Sequence, residues 1–185
     1  MKKTASVALL LLLHAPYFAM SAGIAPTATV VPMSGMVTLT TPFGQHQKIS
    51  VSHAISEHDI SFEDLNFDGY LDLKILNAEG NVQKFYDVHL FNPKTKQYEM
   101  ARDFSNIPCV MADSKIRQLV GQCFHASACE NWIERYVVDR RNQLHLVSRE
   151  GTYCDPSSGA SFSYVDRFEN GRRISSRSTP LHRGD

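Results

Sequence analysis

The sequence predicts a mostly β fold: an antiparallel meander, a sandwich or a propeller-like sheet domain with little helix. Apolar and polar residues alternate over several short stretches, which is the pattern of half-buried strands. Turn-forming residues separate these stretches about every ten to fifteen residues. Helical spacing is scarce, because only residues 95–104 keep apolar side chains three and four positions apart, and only for about two turns.

The strands can be placed in chain order from this alternation. Residues 23–32 are small, apolar and punctuated by proline, which suits an extended lead-in. The alternation then predicts strands at residues 36–41, 48–53, 70–76, 85–91, 115–122 and 131–138. It is clearest at residues 71–75, where leucine and isoleucine would occupy a buried face, with Asp72 and Lys74 on a polar one.

Residues 1–22 have the organisation of a cleavable signal peptide. Lys2 and Lys3 precede an apolar stretch at residues 5–13, and small residues suited to cleavage follow at Ala19 and Ala22. This stretch is about half the ~20 residues that a membrane-spanning helix requires, so we expect no permanent membrane anchor. The sequence therefore predicts export, with the mature protein in the periplasm.

The rest of the chain is expected to form one domain with a loose end. Residues 23–174 are enough for one hydrophobic core and too few for two comfortable ones. Residues 175–185 are basic and rich in small side chains, so we expect them to fray.

The charge balance argues against nucleic acid as a partner. The chain has 19 basic and 19 acidic residues, and removal of Lys2 and Lys3 leaves 17 basic against 19 acidic. A mature protein this close to neutrality lacks the positive field that attracts a polyanion.

All four cysteines lie in the second half of the chain, and an even number in an exported protein predicts two disulfides. They are Cys109, Cys123, Cys129 and Cys154. A zinc site is the competing interpretation, but it usually shows cysteine pairs two to four residues apart. Three pairings are possible. We favour Cys123 with Cys129, closing the loop between two neighbouring strands, which leaves Cys109 with Cys154.

Residues 64–72 have the pattern of a calcium-binding loop. Oxygen-bearing side chains stand at loop positions 1, 3, 5 and 9, glycine stands at position 6, and a main-chain carbonyl would serve at position 7. The predicted ligands are Asp64, Asn66, Asp68, Tyr70 through its carbonyl, and Asp72. Position 12 is Ile75 instead of glutamate, which disfavours an EF-hand. A turn stabilised by Asp and Asn without metal is the alternative.

No arrangement of residues points clearly to catalysis, and we expect the protein not to be an enzyme. Glu130 and Glu134 are a carboxylate pair of the kind used in glycoside hydrolysis, but their spacing in sequence gives no separation in space, so we interpret them as solvated charges. Several aromatic residues near predicted turns are candidates for a binding face or for the core. They are Trp132, Tyr136, Tyr153, Phe162 and Tyr164.

Residues 64–73 followed by residues 85–96 resemble a known family. The second segment reads Phe-Tyr-Asp-Val-His-Leu-Phe-Asn-Pro-Lys-Thr-Lys. Together they are similar to the calcium-binding periplasmic immunity proteins that protect bacteria from peptidoglycan-hydrolase effectors of bacteria-killing type IV secretion systems. The resemblance covers about residues 61–147. The family's lipid-anchor cysteine is absent here, which implies a soluble periplasmic protein.

The resemblance implies a β-rich domain with bound calcium and a surface loop that plugs the active site of a lysozyme-like enzyme. Related inhibitors insert a Ser-Gly-x-Tyr or Ser-Gly-x-x-Tyr loop. The nearest match here begins at Ser158 and Gly159 and ends at Phe162, where phenylalanine replaces tyrosine. The expected function is therefore inhibition of a cognate peptidoglycan hydrolase. The alternatives are a calcium-stabilised module that binds carbohydrate or another surface polymer, and an unrecognised hydrolase.

Overall fold

The computed structural model describes residues 26–31 and 35–181, and these residues form thirteen strands and one helical turn besides a short 3₁₀ segment. The predicted signal peptide, residues 1–22, lies outside the described residues. The strands are β1 (Thr27–Val31), β2 (Met36–Thr40), β3 (His46–Ser50), β4 (Ile60–Glu63), β5 (Asp72–Glu79), β6 (Lys84–Asn92), β7 (Gln97–Met100), β8 (Met111–Asp113), β9 (Gln118–His125), β10 (Asn131–Val138), β11 (Leu144–Cys154), β12 (Ser161–Glu169) and β13 (Arg172–Pro180). The helical turn is α1 (Arg102–Ser105).

The described strands form three antiparallel sheets, each of which follows the order of the chain. The first sheet is β1-β2-β3, the second is β4-β5-β6-β7, and the third runs β13-β12-β11-β10-β9-β8. Within each sheet, strands that are consecutive in sequence lie side by side, which confirms the predicted β-rich antiparallel fold with little helix. The sheets stack as a sandwich, with the second sheet in the middle.

The second sheet buries both of its faces. On one face, Leu73, Ile75 and Phe91 pack against residues of the first sheet such as Leu39. On the other face, Val88 and Leu90 pack with Phe104 of α1 and with Val110 and Leu119 at the edge of the third sheet. The core therefore has two layers, and β5 runs between them.

This position corrects the prediction that Asp72 and Lys74 lie on a polar, solvated face. Asp72 is fully buried and Lys74 is 9% exposed. The Lys74 ammonium lies 2.6 Å from the Glu63 carboxylate and donates to the Val110 carbonyl at 3.1 Å. Glu63 in turn accepts from the Ala112 amide at 2.8 Å. Alternation signalled the strand correctly, but the polar face packs against another sheet.

The basic C-terminal segment is a strand, which corrects the prediction that fraying begins at residue 175. Residues Arg172–Pro180 pair with β12 from Glu169↔Arg172 to Phe162↔Pro180. The tight turn at Asn170 and Gly171, both with positive φ, reverses the chain and makes this pairing possible. Every residue of β13 is exposed, so its serines and arginines are the polar residues of an edge strand and do not indicate a frayed tail.

All four cysteines form disulfides within the described residues, as predicted, but the favoured pairing is wrong. The bonds join Cys109 to Cys123 and Cys129 to Cys154, with Cα atoms 5.9 and 5.8 Å apart. The β10–β11 register explains the second bond: Asn131 pairs with Thr152, and extending the ladder by two residues places Cys129 opposite Cys154. The partner of Cys129 is therefore set by the register of the β10–β11 hairpin. The expectation that a disulfide closes the loop between β9 and β10 is wrong.

No helix in the described part of the chain is long and apolar enough to cross a membrane. The residues predicted to offer a helix, 95–104, instead contain β7 and the first three of the four residues of the single turn α1.

Candidate functional site

The calcium-like loop, residues 64–71, connects β4 to β5 and is held closed by its own side chains. Asp64 accepts hydrogen bonds from the amides of Asp68 and Gly69 at 3.1 and 3.0 Å. Asp68 accepts from the Tyr70 amide at 2.9 Å and from the Asn66 side chain at 3.1 Å. This is the geometry of turns in which Asp and Asn bond to backbone a few residues on.

Asp72 fastens the end of this loop to the core. Its Oδ2 accepts from the Leu65 amide at 2.9 Å, and its Oδ1 accepts from the Phe91 amide at the same distance. Both oxygens of this predicted ligand are therefore engaged by main-chain donors. Burial raises the pKa of Asp72 to about 7, with the Asp68 and Asp64 charges adding to the effect and the two amides opposing it.

The loop carries uncompensated negative charge. Burial raises the pKa of Asp64, and the neighbouring Asp68 carboxylate adds to this effect. Among the described residues, no Lys, Arg or His forms an ion pair with Asp64, Asp68 or Asp72. In the same residues, no three His, Cys, Asp or Glu side chains are placed to share a metal ion. Coordination would thus require Asp64, Asn66 and Asp68 to turn away from the loop amides.

The tip of the loop is clamped to two turns of the third sheet. The Arg117 guanidinium donates to the Phe67 carbonyl at 2.6 Å and lies 5.5 Å from the centre of the Phe67 ring. The Asn66 side chain donates to that of Asn142 at 3.2 Å. Phe67, Arg117 and Asn142 all have left-handed backbone, with φ of 62°, 51° and 60°. These contacts fix the position of the loop relative to the third sheet.

A cleft of about 920 Å³ lies beside this clamp, between the second and third sheets. Acidic and basic side chains are mixed around it, so the cleft has no field of a single sign. They are Asp68, Lys94, Glu99, Arg102, Asp103, Arg117, Asp139 and Arg140.

The predicted partner-binding residues lie at the hairpin between β11 and β12. Ser158 and Gly159 are exposed at its tip, and Gly159 has φ of 69°. Phe162 is not in the tip: it lies in β12 and stacks on Tyr153, with ring centres 5.1 Å apart. The structure thus separates the predicted triplet into an exposed polar tip and an aromatic base.

The tip is ordered by Asp155. Its Oδ1 accepts from the Ser157 hydroxyl at 2.5 Å and from the amides of Ser157 and Ser158 at 2.8 and 2.9 Å. These hydrogen bonds lower the pKa of Asp155 to about 2. The Gly159 amide also donates to the Asp155 carbonyl at 2.8 Å. The exposed tip therefore has a defined shape and stays so at all but strongly acidic pH.

A second group of candidate side chains lies on one face of the third sheet. The register places Trp132 opposite Gly151, Gly151 opposite Tyr164, and Tyr164 opposite Ser178. Because residues opposite one another share a face, these side chains form one row. We call Trp132, Tyr153, Phe162 and Tyr164 the aromatic shelf. A depression of about 430 Å³ lies over the part formed by Trp132, Tyr153 and Tyr164.

Two ion pairs lie in the row next to the aromatic shelf. The Arg149 guanidinium lies 2.6 Å from the Glu134 carboxylate, which is 6% exposed and also accepts from Trp132 Nε1 and the Tyr136 hydroxyl. The Arg173 guanidinium lies 3.3 Å from Asp166, which is 5% exposed. The interpretation of Glu134 as a solvated charge is therefore wrong, whereas Glu130 is exposed.

Sequence reasoning singled out the aromatic residues but missed their charged neighbours. The available signal was alternation: Phe162, Tyr164 and Asp166 stand two residues apart, as do Trp132 and Glu134. In a strand such residues point to the same face. Recognising β12 as a strand would have joined them.

Comparison of the chain with protein-family models, with curated proteins and with solved structures finds no match. The function is therefore argued from the sites alone.

Proposed function

We propose that the protein is an exported, non-enzymatic inhibitor, an immunity protein that binds and blocks a peptidoglycan hydrolase in the periplasm. The observation that carries the proposal is the exposed tip of the β11–β12 hairpin, ordered by Asp155. A tip whose shape is set before binding loses little conformational freedom when it enters a cleft, which favours affinity.

The contacts at the base of the hairpin support this role. The aromatic base, Tyr153 stacked on Phe162, holds the two strands beneath the tip. The Cys129–Cys154 disulfide joins the end of β11 to the loop before β10. Both features limit bending of the hairpin, so a force on the tip is carried by the third sheet.

The test uses purified protein, a lysozyme-like peptidoglycan hydrolase encoded beside its gene, and a cell-wall clearance assay. We expect stoichiometric inhibition. Gly159→Arg should abolish it, because a long charged side chain at the tip blocks insertion. Gly171→Arg is the matched control: Gly171 also lies at a hairpin tip, has φ of 74°, and has no atom within 4 Å of an added Cβ, as is true of Gly159.

Two results would overturn the proposal. One is the absence of binding and inhibition with the unmodified protein. The other is equal loss of inhibition in the Gly159 and Gly171 variants while both remain folded, since that would place the effect outside the tip.

We also propose that residues 64–72 bind calcium, with Asp64, Asn66, Asp68 and the Tyr70 carbonyl as the principal ligands. The support is electrostatic: three carboxylates lie within one short loop, and burial together with mutual repulsion raises the pKa of Asp64 and Asp72. A divalent cation would remove this repulsion. Asp72 would contribute mainly by closing the loop, because main-chain amides engage both of its oxygens.

A further inference from the structure

Asp166 has a hydrogen-bonding capacity that the protein does not use. Among the described residues, only two buried side-chain polar atoms lack a partner, and Asp166 Oδ1 is one of them. Its other oxygen, Oδ2, is held by Arg173. The second atom is His89 Nε2, on the central sheet. A buried acceptor left without a donor costs free energy, so a native protein that retains one invites an explanation.

The surroundings of Asp166 differ from those of His89. Asp166 lines the depression of about 430 Å³ over the aromatic shelf, together with Trp132, Tyr153, Tyr164 and the hydroxyls of Ser176 and Ser178. Asp166 thus borders a place where a ligand can approach, and its Oδ1, which is itself buried, becomes reachable when a neighbouring side chain moves. His89 lines neither this depression nor the cleft beside the clamp.

We propose that the aromatic shelf is a carbohydrate site, which binds a pyranose unit of a polysaccharide with one sugar hydroxyl donating to Asp166 Oδ1. A sugar ring offers hydroxyl donors on its edge and an apolar C–H face, and the site offers an acceptor beside aromatic rings. The inference does not rest on the proposed inhibitor function, which uses the hairpin tip; the two sites share Tyr153 and Phe162, whereas Asp166 belongs to the sugar site alone.

The charges of the site favour a sugar over an anion. The Arg149 guanidinium lies against the Glu134 carboxylate and the Arg173 guanidinium against the Asp166 carboxylate, so the positive charge that would attract a phosphate or a carboxylate is offset by negative charge beside it. The unsatisfied atom is itself an oxygen of a carboxylate and requires a donor. Arg173 is 59% exposed at its side chain, so it can move aside as the sugar hydroxyl arrives.

The chain offers a specific optical probe of this site. Its single tryptophan is Trp132, which lines the depression. Titration with soluble trisaccharides, including the β-1,4-linked trimer of N-acetylglucosamine, cellotriose and maltotriose, should therefore change tryptophan emission for at least one of them. Binding of that sugar is then measured by calorimetry.

Two variants locate the binding. Asp166→Asn keeps the shape but replaces the anionic acceptor, and should weaken binding about tenfold or more, as expected for the loss of a hydrogen bond to a charged group. Tyr153→Ala removes an aromatic ring and should weaken it similarly. Arg167→Ala is the control, because Arg167 is an exposed neighbour of Asp166 whose side chain points to the opposite face of β12.

Each outcome decides the question. Binding that is lost in both folded shelf variants and retained in Arg167→Ala supports the site. If Asp166→Asn fails to fold, the Tyr153 variant decides alone. Failure of every trisaccharide to bind at millimolar concentration, or binding unchanged in the shelf variants, overturns the proposal.

Discussion

The carboxylate of Asp72 accepts a hydrogen bond from the amide of Leu65 at 2.9 Å, and this contact joins the two ends of the loop between β4 and β5. Leu65 is itself fully buried in the core between the second and third sheets. Because the neighbouring Asn66 and Phe67 make the clamp to the third sheet, this hydrogen bond connects loop closure to the packing of two sheets.

Replacing Asp72 should be strongly destabilising. Asp72→Ala leaves the buried amides of Leu65 and Phe91 without an acceptor, at a cost of about 1 to 3 kcal/mol for each. We expect the free energy of unfolding in urea to fall by about 2 to 5 kcal/mol. Glu169→Ala, at an exposed position on β12, should change it by less than about 0.5 kcal/mol. An Asp72 variant as stable as this control would show that the two hydrogen bonds to Asp72 contribute nothing to stability.

Calcium should raise the unfolding temperature of metal-free protein. If the ion binds only the folded state, stability rises by about 2.7 kcal/mol at a hundred times the dissociation constant, which corresponds to roughly 5 to 10 °C. Magnesium should substitute poorly, because it requires a tighter octahedral shell and releases water reluctantly. Thermal unfolding followed by circular dichroism, in calcium and in chelator, measures the difference.

Asp68→Ala should abolish the calcium-dependent shift, since it removes a carboxylate from the loop that is exposed and outside the core. Glu169→Ala, distant from the loop in sequence, should retain it. The same unfolding temperature in calcium and in chelator would show residues 64–72 to be a turn without a metal.

The folded protein should contain no free thiol. Peptide mapping without reduction should yield Cys109 linked to Cys123 and Cys129 linked to Cys154. Replacing both cysteines of either pair with serine should lower the free energy of unfolding by about 2 to 5 kcal/mol. Peptides linking Cys123 to Cys129 would contradict the observed register of β10 and β11.

Gly151 should tolerate no side chain. It lies opposite Trp132 in the β10–β11 ladder, and an added Cβ would lie 2.6 Å from Trp132 Cβ and 2.8 Å from its Cα. Because backbone cannot move aside cheaply, we expect Gly151→Ala to cost about 1 to 3 kcal/mol in the free energy of unfolding. At Gly80 the nearest atom to an added Cβ is 3.8 Å away, so Gly80→Ala is the matched control. Equal stability of the two variants would contradict the clash.

The β-rich fold was predictable because strand alternation and turn residues are local signals. Burial was harder to predict from the sequence. Asp72 and Lys74 alternate with apolar residues as on a strand with one solvated face, yet a neighbouring sheet covers them. Nothing in residues 71–75 alone reveals that neighbour. The disulfide pairing failed for a related reason, since the partner of Cys129 depends on the β10–β11 register and not on distance along the chain.

At the candidate sites too, features set by residues close in sequence were predictable, and features set by distant residues were not. The turn at residues 64–71 forms as Asp64, Asn66 and Asp68 predict, because each of these side chains accepts from an amide within a few residues. The shelf brings together residues from β10, β11 and β12. Alternation places Glu134 on the face of Trp132 and Asp166 on the face of Tyr164, but only the sheet topology places these strands side by side. The roles of such charges depend on partners distant in sequence.

Among the described strands, none pairs with the outer side of β13, and the composition of this edge determines how two molecules meet there. Its exposed main-chain groups could accept a strand from a second copy. Arg172, Arg173 and Arg177 lie along this edge, so two copies approaching edge to edge bring like charges together. That repulsion acts over about 10 Å in 0.1 M salt and about 3 Å in 1 M salt. Self-association through this edge should therefore be suppressed at low ionic strength and become easier as salt is added.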